Sequence, residues 1–291
     1  MIHVVPERVE GPHIKNTKEE GQMNTQTVPA LSFVTMGISL LFGIAIPVGL
    51  LIFYRKRYNC KIMPFITGCA VFAIFAIVIE GIFHTITLSG GRQQALMAKP
   101  LLYGLYGGFM AGFFEETGRL LAFKTILEKS QDYDNTALMY GAGHGGFEAF
   151  YVLFASAISN IVMAAMINSG NTHALTVNLT GEKLIATQQL ITALINSNPL
   201  TFCAGIIERI PSVAIQISLS IIVWFAAKNK TRWYFYPLAI LLHLIIDALA
   251  GTLSLYNVNV ILIEVIIYIY AGLTVFAAYK IWQKNVVTVS H

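Results

Sequence analysis

Charged residues are scarce in this sequence. Aspartate, glutamate, lysine and arginine make up 12% of the 291 residues, against roughly 25% in soluble domains, and 56% of the residues are hydrophobic. This composition excludes an ordinary soluble domain and indicates a polytopic membrane protein. The apolar segments are distributed from about residue 30 to about residue 282, which leaves no room for a separate globular domain.

Cysteine is scarce as well, and several familiar patterns are missing. Cys60, Cys69 and Cys203 show no CxxC spacing, which argues against a disulfide framework and against a zinc ribbon. The net charge of +4 comes from basic residues in short segments between apolar runs, as membrane topology requires, so no nucleic-acid partner is expected. The sequence has no standard signal peptide and no evident internal repeat.

Seven apolar segments are long enough to cross a bilayer, at about 20 residues per crossing. We therefore predict an all-α, polytopic helical membrane protein. Residues 1–29 form a polar tail that is expected to be disordered, residues 30–284 a single integral domain and residues 285–291 a cytoplasmic tail. The predicted membrane helices lie at about 31–54, 62–88, 98–128, 135–168, 200–228, 232–252 and 257–282.

Basic residues alternate between loops in a way that predicts the orientation. Lysine and arginine near span ends favour the cytoplasmic side. They concentrate after the first span, after the third, after the fifth and at the C-terminal end, for example Arg55, Lys124, Lys228 and Lys284. We predict an N-terminus outside and a cytoplasmic C-terminus, in a bacterial plasma membrane. Within the longest loop, the segment from Glu182 has helical apolar spacing and is expected to lie along the membrane surface.

Two adjacent acids interrupt the third predicted span. Glu115 and Glu116 lie in an apolar run, with Arg119 one turn further on. Charge at membrane depth costs several kcal/mol on insertion scales, so such residues usually face a protein interior and mark a functional site. Arg119 can pair with either carboxylate, which leaves the other able to accept a proton from water. The alternative is a structural ion pair near the helix end.

Histidine and acid pairs recur on other predicted spans at a spacing of one turn. His144 and Glu148 follow a glycine-rich stretch, and the glycines should let this helix approach the third one closely. His243 and Asp247 form a second pair, in which the aspartate can orient the imidazole. A lone histidine on a helix is usually a packing residue, but three polar helices together favour a site. A further pair, Glu80 and His84, is a weaker candidate for a supporting role, and Arg209 is expected to pair with an acid.

The motifs, taken together, resemble those of a known protease superfamily. Glu115-Glu116-Thr-Gly-Arg119, Tyr140-Gly-Ala-Gly-His144 and His243-Leu-Ile-Ile-Asp247 resemble the EExxxR, FxxxH and HxxxN/D motifs of the CPBP intramembrane proteases. That superfamily, named for CAAX-protease and bacteriocin-processing enzymes, includes Rce-type, PrsW and Aph-type relatives. More narrowly, the sequence resembles the YhfC family of bacterial membrane peptidases. Tyr140 replaces the more common Phe, and Asp247 replaces the Asn of Rce-type enzymes.

The resemblance implies a hydrolytic site. It implies Glu115 as the base that activates water, Glu116 and Arg119 as supporting groups, and His144 and His243 as donors to the oxyanion. Tyr140 and Glu148 would support this set. The expected substrate is a membrane-embedded or membrane-associated protein or peptide. No cofactor is required, although His144 and His243 could instead hold Zn²⁺, whose bound water is acidified. The two histidines do not form an HExxH pair, so their spacing gives no independent support for zinc.

Two further readings of the same residues stay open. The first is a non-catalytic membrane protein, such as a scaffold, an immunity factor or a transporter subunit. The second is a proton-coupled transporter, because carboxylates and histidines also relay protons across membranes. A scaffold does not require Glu115, His144 and His243 to meet, whereas a hydrolase does.

Overall fold

The computed structural model of the protein describes residues 27–131 and 133–286. All regular elements within these ranges are helices, which confirms the all-α prediction. Nearly all of the predicted N-terminal tail lies outside the described residues. The α-helices are α1 Ala30–Tyr58, α2 Met63–Val71, α3 Glu80–Thr87, α4 Arg92–Met97, α5 Pro100–Lys124, α6 Asn135–Asn168, α7 Thr172–Thr176, α8 Gly181–Asn196, α9 Ala204–Lys228, α10 Phe235–Leu255 and α11 Val260–Asn285.

Six helical stretches among the described residues are long and apolar enough to cross a membrane. They are Ala30–Tyr58, Met63–Thr87, Asn135–Asn168, Pro199–Lys228, Lys230–Leu255 and Val260–Asn285. The helix that carries the adjacent glutamates, α5, is not among them. At 25 residues it is about 37 Å long, enough for a bilayer, but its charged residues and glycines make it less apolar. The predicted total of seven crossings and the predicted orientation stay predictions.

The second predicted span is not a uniform helix. Between α2 and α3 the chain continues through a π-helical segment, Phe72–Ile79. Such segments are rare and are frequent at functional sites. The ring of Phe72 packs edge-on against His144 at a centroid distance of 5.3 Å, so the π-helical segment adjoins one of the predicted site residues.

One end of α6 is covered by two segments that the sequence assigns to a tail and a loop. Val28 is only 2% exposed, and its backbone N–H and C=O both bond the Asn168 side chain. Val28 therefore packs against the end of α6, and the bounds of the tail stay a prediction. The α8 helix corresponds to the predicted surface helix, and its Leu194 is buried in the same cluster as Met36 and Ile167.

The central helix of the bundle is α9. In its most apolar window 72% of the residues are buried inside the protein, compared with 17–33% for the other candidate spans. Its Trp224 and Phe225 belong to the largest hydrophobic cluster. Because protein rather than lipid surrounds most of this helix, polar side chains on it can reach several neighbouring helices.

A ridge of glycines brings α5 against α10. A Cβ at Gly104 or Gly108 would collide with the backbone of α10, and one at Gly112 would lie 2.9 Å from the carbonyl oxygen of Ile240. Glycines spaced four apart line one helix face and let two membrane helices approach backbone to backbone. Glu116 is four residues beyond Gly112, so the same ridge carries Glu116 to His243.

Candidate active site

Glu115 is held by two donors on one of its oxygens. The Nε2 atom of His144, on α6, lies 2.9 Å from Oε2 of Glu115, and Nε2 of Gln216, on α9, donates to the same oxygen at 3.0 Å. No hydrogen bond from the described residues reaches Oε1. Glu115 is 6% exposed, while Glu116 is fully buried. One oxygen of Glu115 is therefore free to interact with water or substrate.

Glu116 has both oxygens occupied. Its Oε2 accepts a hydrogen bond from Nη1 of Arg119, and its Oε1 lies 2.8 Å from Nδ1 of His243, on α10. The other ring nitrogen of His243, Nε2, is 3.5 Å from Oδ2 of Asp247. The sequence assigns the orientation of this imidazole to Asp247. In the structure Glu116 makes the shorter contact with the ring, and Asp247 lies at the opposite nitrogen.

Gln216 connects the two halves of the site and was missed by the sequence reasoning. Its Nε2 donates to Glu115 at 3.0 Å and to Oε2 of Glu148 at 2.8 Å, and its Oε1 accepts from Arg119 at 2.5 Å. These partners fix the orientation of the amide, since the carboxylates need a donor and the guanidinium needs an acceptor. A glutamine in the apolar run of α9 is a weak signal in the sequence. It is uncharged and costs less to bury than an acid, so its presence there does not by itself indicate a functional site.

Glu148 lies behind Gln216. Its Oε1 accepts a hydrogen bond from Arg209 at 3.2 Å and from Ser212 at 2.7 Å, both on α9. The expected pairing of Arg209 with an acid is therefore present, and Ser212 is a further residue that the sequence did not suggest.

The glycines of α6 act differently from the expectation. They were expected to bring α6 close to α5, yet a Cβ at Gly145 would lie 2.9 Å from Cβ of Gln216, and a Cβ at Gly143 would collide with the Phe65 backbone of α2. The close approaches of these two glycines are thus to α9 and α2, and Gly146 approaches Pro47 of α1. His144 still reaches Glu115 on α5 through its side chain.

Tyr140 packs beside His144. It is fully buried, and its ring lies 5.9 Å from the ring of His144 and 4.6 Å from that of Phe123. Glu80 and His84, in contrast, form a separate group. They lie 3.0 Å apart, and His84 also contacts the Tyr106 hydroxyl at 3.0 Å. In the described part of the chain, no hydrogen bond joins this group to Glu115 or Glu116.

The cluster, in which Glu115 and Glu116 are buried and Glu148 and Asp247 are partly buried, has more carboxylates than guanidinium groups. Arg119 pairs with Glu116 and Arg209 pairs with Glu148, whereas Glu115 and Asp247 contact histidines and, among the described residues, form an ion pair with neither arginine. Burial of an imbalance of this kind costs free energy unless the histidines take up protons. A cluster whose only role was to hold helices together would be more stable with matched charges or apolar side chains.

Comparison with known proteins agrees with the motifs. Residues 42–271 match the family described as YhfC intramembrane metalloprotease, and this range includes every residue of the cluster. The chain belongs to the YhfC family. The uncharacterized membrane protein YhfC of Bacillus subtilis (strain 168) is 34% identical over 248 residues, which cover 84% of this chain and 93% of that protein. No solved structure matches the chain.

The YhfC family description implies a metal ion, and the cluster contains suitable ligand types. Imidazole and carboxylate groups are zinc ligands, and a catalytic zinc site uses three of them. Among the described residues, however, no group of three His, Cys, Asp or Glu side chains could hold a metal ion. His144 and His243 face separate glutamates, and the buried guanidinium of Arg119 would repel a dication nearby. The side chains do not fit a metal ion in this arrangement.

Proposed function

We propose that this chain is an intramembrane peptidase that hydrolyses a peptide bond of a membrane-embedded or membrane-associated protein, using a water molecule activated by Glu115. The free Oε1 of Glu115 supports this role, because a general base needs an oxygen within reach of water. Glu116 is a poor candidate for the same role, since Arg119 and His243 occupy both of its oxygens. This contact pattern supports the same glutamate as the family resemblance does.

In the proposed reaction, Oε1 of Glu115 takes a proton from water while the water oxygen bonds to the carbonyl carbon of the substrate. The resulting tetrahedral intermediate breaks its carbon–nitrogen bond. The proton held by Glu115 passes to the leaving nitrogen, and the products are a carboxylic acid and an amine. No other reactant is needed.

The histidines take different roles in this mechanism. His144 and Gln216 both contact Oε2 of Glu115, and we assign them to positioning of the base. Nδ1 of His243 donates to Glu116, so Nε2 is the nitrogen that would donate to the oxyanion. For this role the ring must be an imidazolium, with Asp247 nearby to stabilise the positive charge. This differs from the resemblance, which assigns oxyanion stabilisation to both histidines.

A non-catalytic scaffold is the main alternative. The contacts among Glu115, Glu116, His144 and His243 favour the enzyme, because a scaffold does not require these four side chains to meet across three helices. The buried Glu115 carboxylate has no arginine or lysine partner among the described residues and points the same way, since its burial costs free energy without strengthening helix packing.

Mapping of new protein N-termini in membranes from the native cells tests the proposal without a known substrate. Membranes with the wild-type chain should contain cleaved membrane proteins, and Glu115→Gln should lower their amount by about 100-fold or more, because it removes the base. Glu264→Gln, which removes a carboxylate from α11 outside the cluster, is the matched control and should cleave normally. Undiminished cleavage by Glu115→Gln would exclude the mechanism.

Once a cleavage site has been mapped, a second assay tests whether the reaction depends on a metal. A peptide that contains the mapped cleavage site can be incubated with the purified chain and a strong zinc chelator. We expect an unchanged rate, because the cluster shows no three convergent ligands. A loss of activity that zinc restores would show that a metal carries the reaction.

A further inference from the structure

A basic cavity lies at one end of the bundle, away from the glutamate cluster. It has a volume of about 370 Å³ and is formed by the segment that leads into α10 and the last turns of α11. Arg232, Lys280 and Lys284 line it together with the aromatic residues Tyr234 and Phe235. No acidic side chain lines the cavity, so three positive charges share a small space.

Among the described residues, these three cations have no carboxylate partner to neutralise them, unlike the basic residues that pack inside the bundle. Arg119, Arg209 and Lys228 each form an ion pair with a carboxylate. In the described part of the chain, no ion pair includes Arg232, Lys280 or Lys284, and Lys280 lies 5.4 Å from the centre of the Phe276 ring. Like charges around one cavity repel each other, and an anion bound between them would relieve the repulsion.

The surface next to the cavity is suited to a lipid chain. Ile269, Leu273 and Phe276 are each at least 60% exposed and lie on the face of α11 that continues to Lys280 and Lys284. The stripe is thus apolar along the helix and basic at its end.

Exposed aromatic side chains surround the same end of the bundle. Trp233 and Tyr234, beside Arg232, are 68% and 50% exposed. Tryptophan and tyrosine are enriched where membrane helices meet the headgroup region. The aromatic residues beside the cavity are therefore of the kind found where phospholipid phosphates lie.

We propose that this cavity binds the phosphate of an anionic phospholipid, with an acyl chain along the apolar stripe of α11. Arg232 supplies a planar fork that matches phosphate oxygens, and the two lysines supply compact charges. A soluble phosphate or an acidic peptide would use the cations but not the apolar stripe, which is why a lipid is the occupant. Basic pockets between membrane helices bind lipid headgroups in the same way.

Native mass spectrometry of the purified full chain with added phosphatidylglycerol or phosphatidylcholine tests this site. The wild-type chain should retain more phosphatidylglycerol than phosphatidylcholine. The triple variant Arg232→Gln, Lys280→Gln, Lys284→Gln should bind it at least about tenfold more weakly, because each basic residue contributes to the attraction of anionic lipid. The matched control is Arg55→Gln, Lys56→Gln, Arg57→Gln, which removes equal charge from the exposed end of α1.

Several results would overturn the proposal. Equal losses in the two triple variants would mean that general surface charge, and not the cavity, attracts the lipid. Retention of phosphatidylcholine equal to that of phosphatidylglycerol would show that the negative charge of the lipid does not matter. Binding of inorganic phosphate as tight as that of the lipid would make this a soluble anion site. Thermal unfolding of the triple variant in phosphatidylcholine shows whether that variant is folded. The single variant Lys280→Gln should lose less affinity for phosphatidylglycerol than the triple variant, and no loss in a folded triple variant would contradict the proposal.

Discussion

Adjacent residues on a helix point about 100° apart, so Glu115 and Glu116 contact different helices. Glu115 faces α6 and α9 through His144 and Gln216, and Glu116 faces α10 through His243. The two acids therefore acquire different environments, although they are neighbours in the chain. One has both oxygens bound by cations or donors, and the other keeps one oxygen free.

Gln216 should matter for catalysis more than for folding. Gln216→Met keeps the length of the side chain but removes both donors and the acceptor. We expect a loss of about 1 to 3 kcal/mol in the free energy of unfolding, since buried polar partners lose their hydrogen bonds. With the mapped peptide, kcat should fall by about 100-fold while KM stays unchanged, because Glu115 is no longer held in place.

Ser218→Ala is the matched control for Gln216→Met. Ser218 lies on the same helix and its hydroxyl bonds only the backbone of that helix. Ser218→Ala should therefore leave the free energy of unfolding and kcat near their wild-type values. Wild-type kcat in the purified Gln216→Met variant would show that Gln216 does not position the base.

Removal of one partner from the buried Arg119 and Glu116 pair should be costly. Arg119→Gln leaves Glu116 buried without its guanidinium and should lower the free energy of unfolding by about 3 to 5 kcal/mol. The double variant Arg119→Gln, Glu116→Gln removes both charges and should be more stable than Arg119→Gln alone. Unfolding in detergent measures the stability of the single and double variants. A double variant less stable than Arg119→Gln and than Glu116→Gln would contradict the pairing.

At the scale of helices, the glycine ridge of α5 decides where Glu116 lies. Gly104, Gly108 and Gly112 touch the backbone of α10, and Glu116 continues the same face. Burial of apolar side chains gives little reason for helices to associate in lipid, so close packing of small residues contributes more than it does in water. The ridge is therefore a structural requirement of the site.

Two neighbouring glycines of α5 give a matched test of the ridge. Gly108→Ala places a Cβ against the Leu244 carbonyl of α10 and should lower stability by about 1 to 3 kcal/mol. A Cβ at Gly107 meets nothing within 4 Å, so Gly107→Ala should be neutral, or stabilising by up to about 1 kcal/mol. Thermal unfolding of the two variants measures the difference, and equal melting temperatures would mean that α5 and α10 do not pack through this ridge.

At the scale of the whole molecule, the bundle is organised around α9. This helix carries Gln216, Arg209 and Ser212 to the acids of α5 and α6, and it contributes Trp224 to the largest apolar cluster. The three polar helices of the site thus share a central partner, and the site lies within the protein rather than against lipid.

The orientation of the whole chain is a testable prediction from its basic loops. Reporter fusions after α11 should give a fluorescent C-terminal green fluorescent protein and an inactive alkaline phosphatase, because lysine and arginine favour the cytoplasmic side. A fusion within the loop between α6 and α9 should give the opposite result. Active phosphatase at the C-terminus would reverse the predicted topology.

The amino-acid sequence was sufficient to predict the membrane class, the helical segments and a set of candidate site residues. Hydropathy and span length are local properties of the chain, so the predicted segment 135–168 coincides with α6 and the predicted segment 98–128 includes all of α5. Spacing along one helix was also sufficient to bring Arg119 within reach of the two acids and to place His243 one turn before Asp247.

The partners of these residues depend on how the helices pack against one another. The direction of each glutamate depends on the rotation of α5 against α10 and α9, and no local pattern encodes that rotation. Gln216 acquires its importance from three residues on two other helices, and the basic cavity forms from the start of α10 and the end of α11. Contacts between distant segments depend on how closely helices approach, which glycine spacing suggests but does not assign to a particular neighbour.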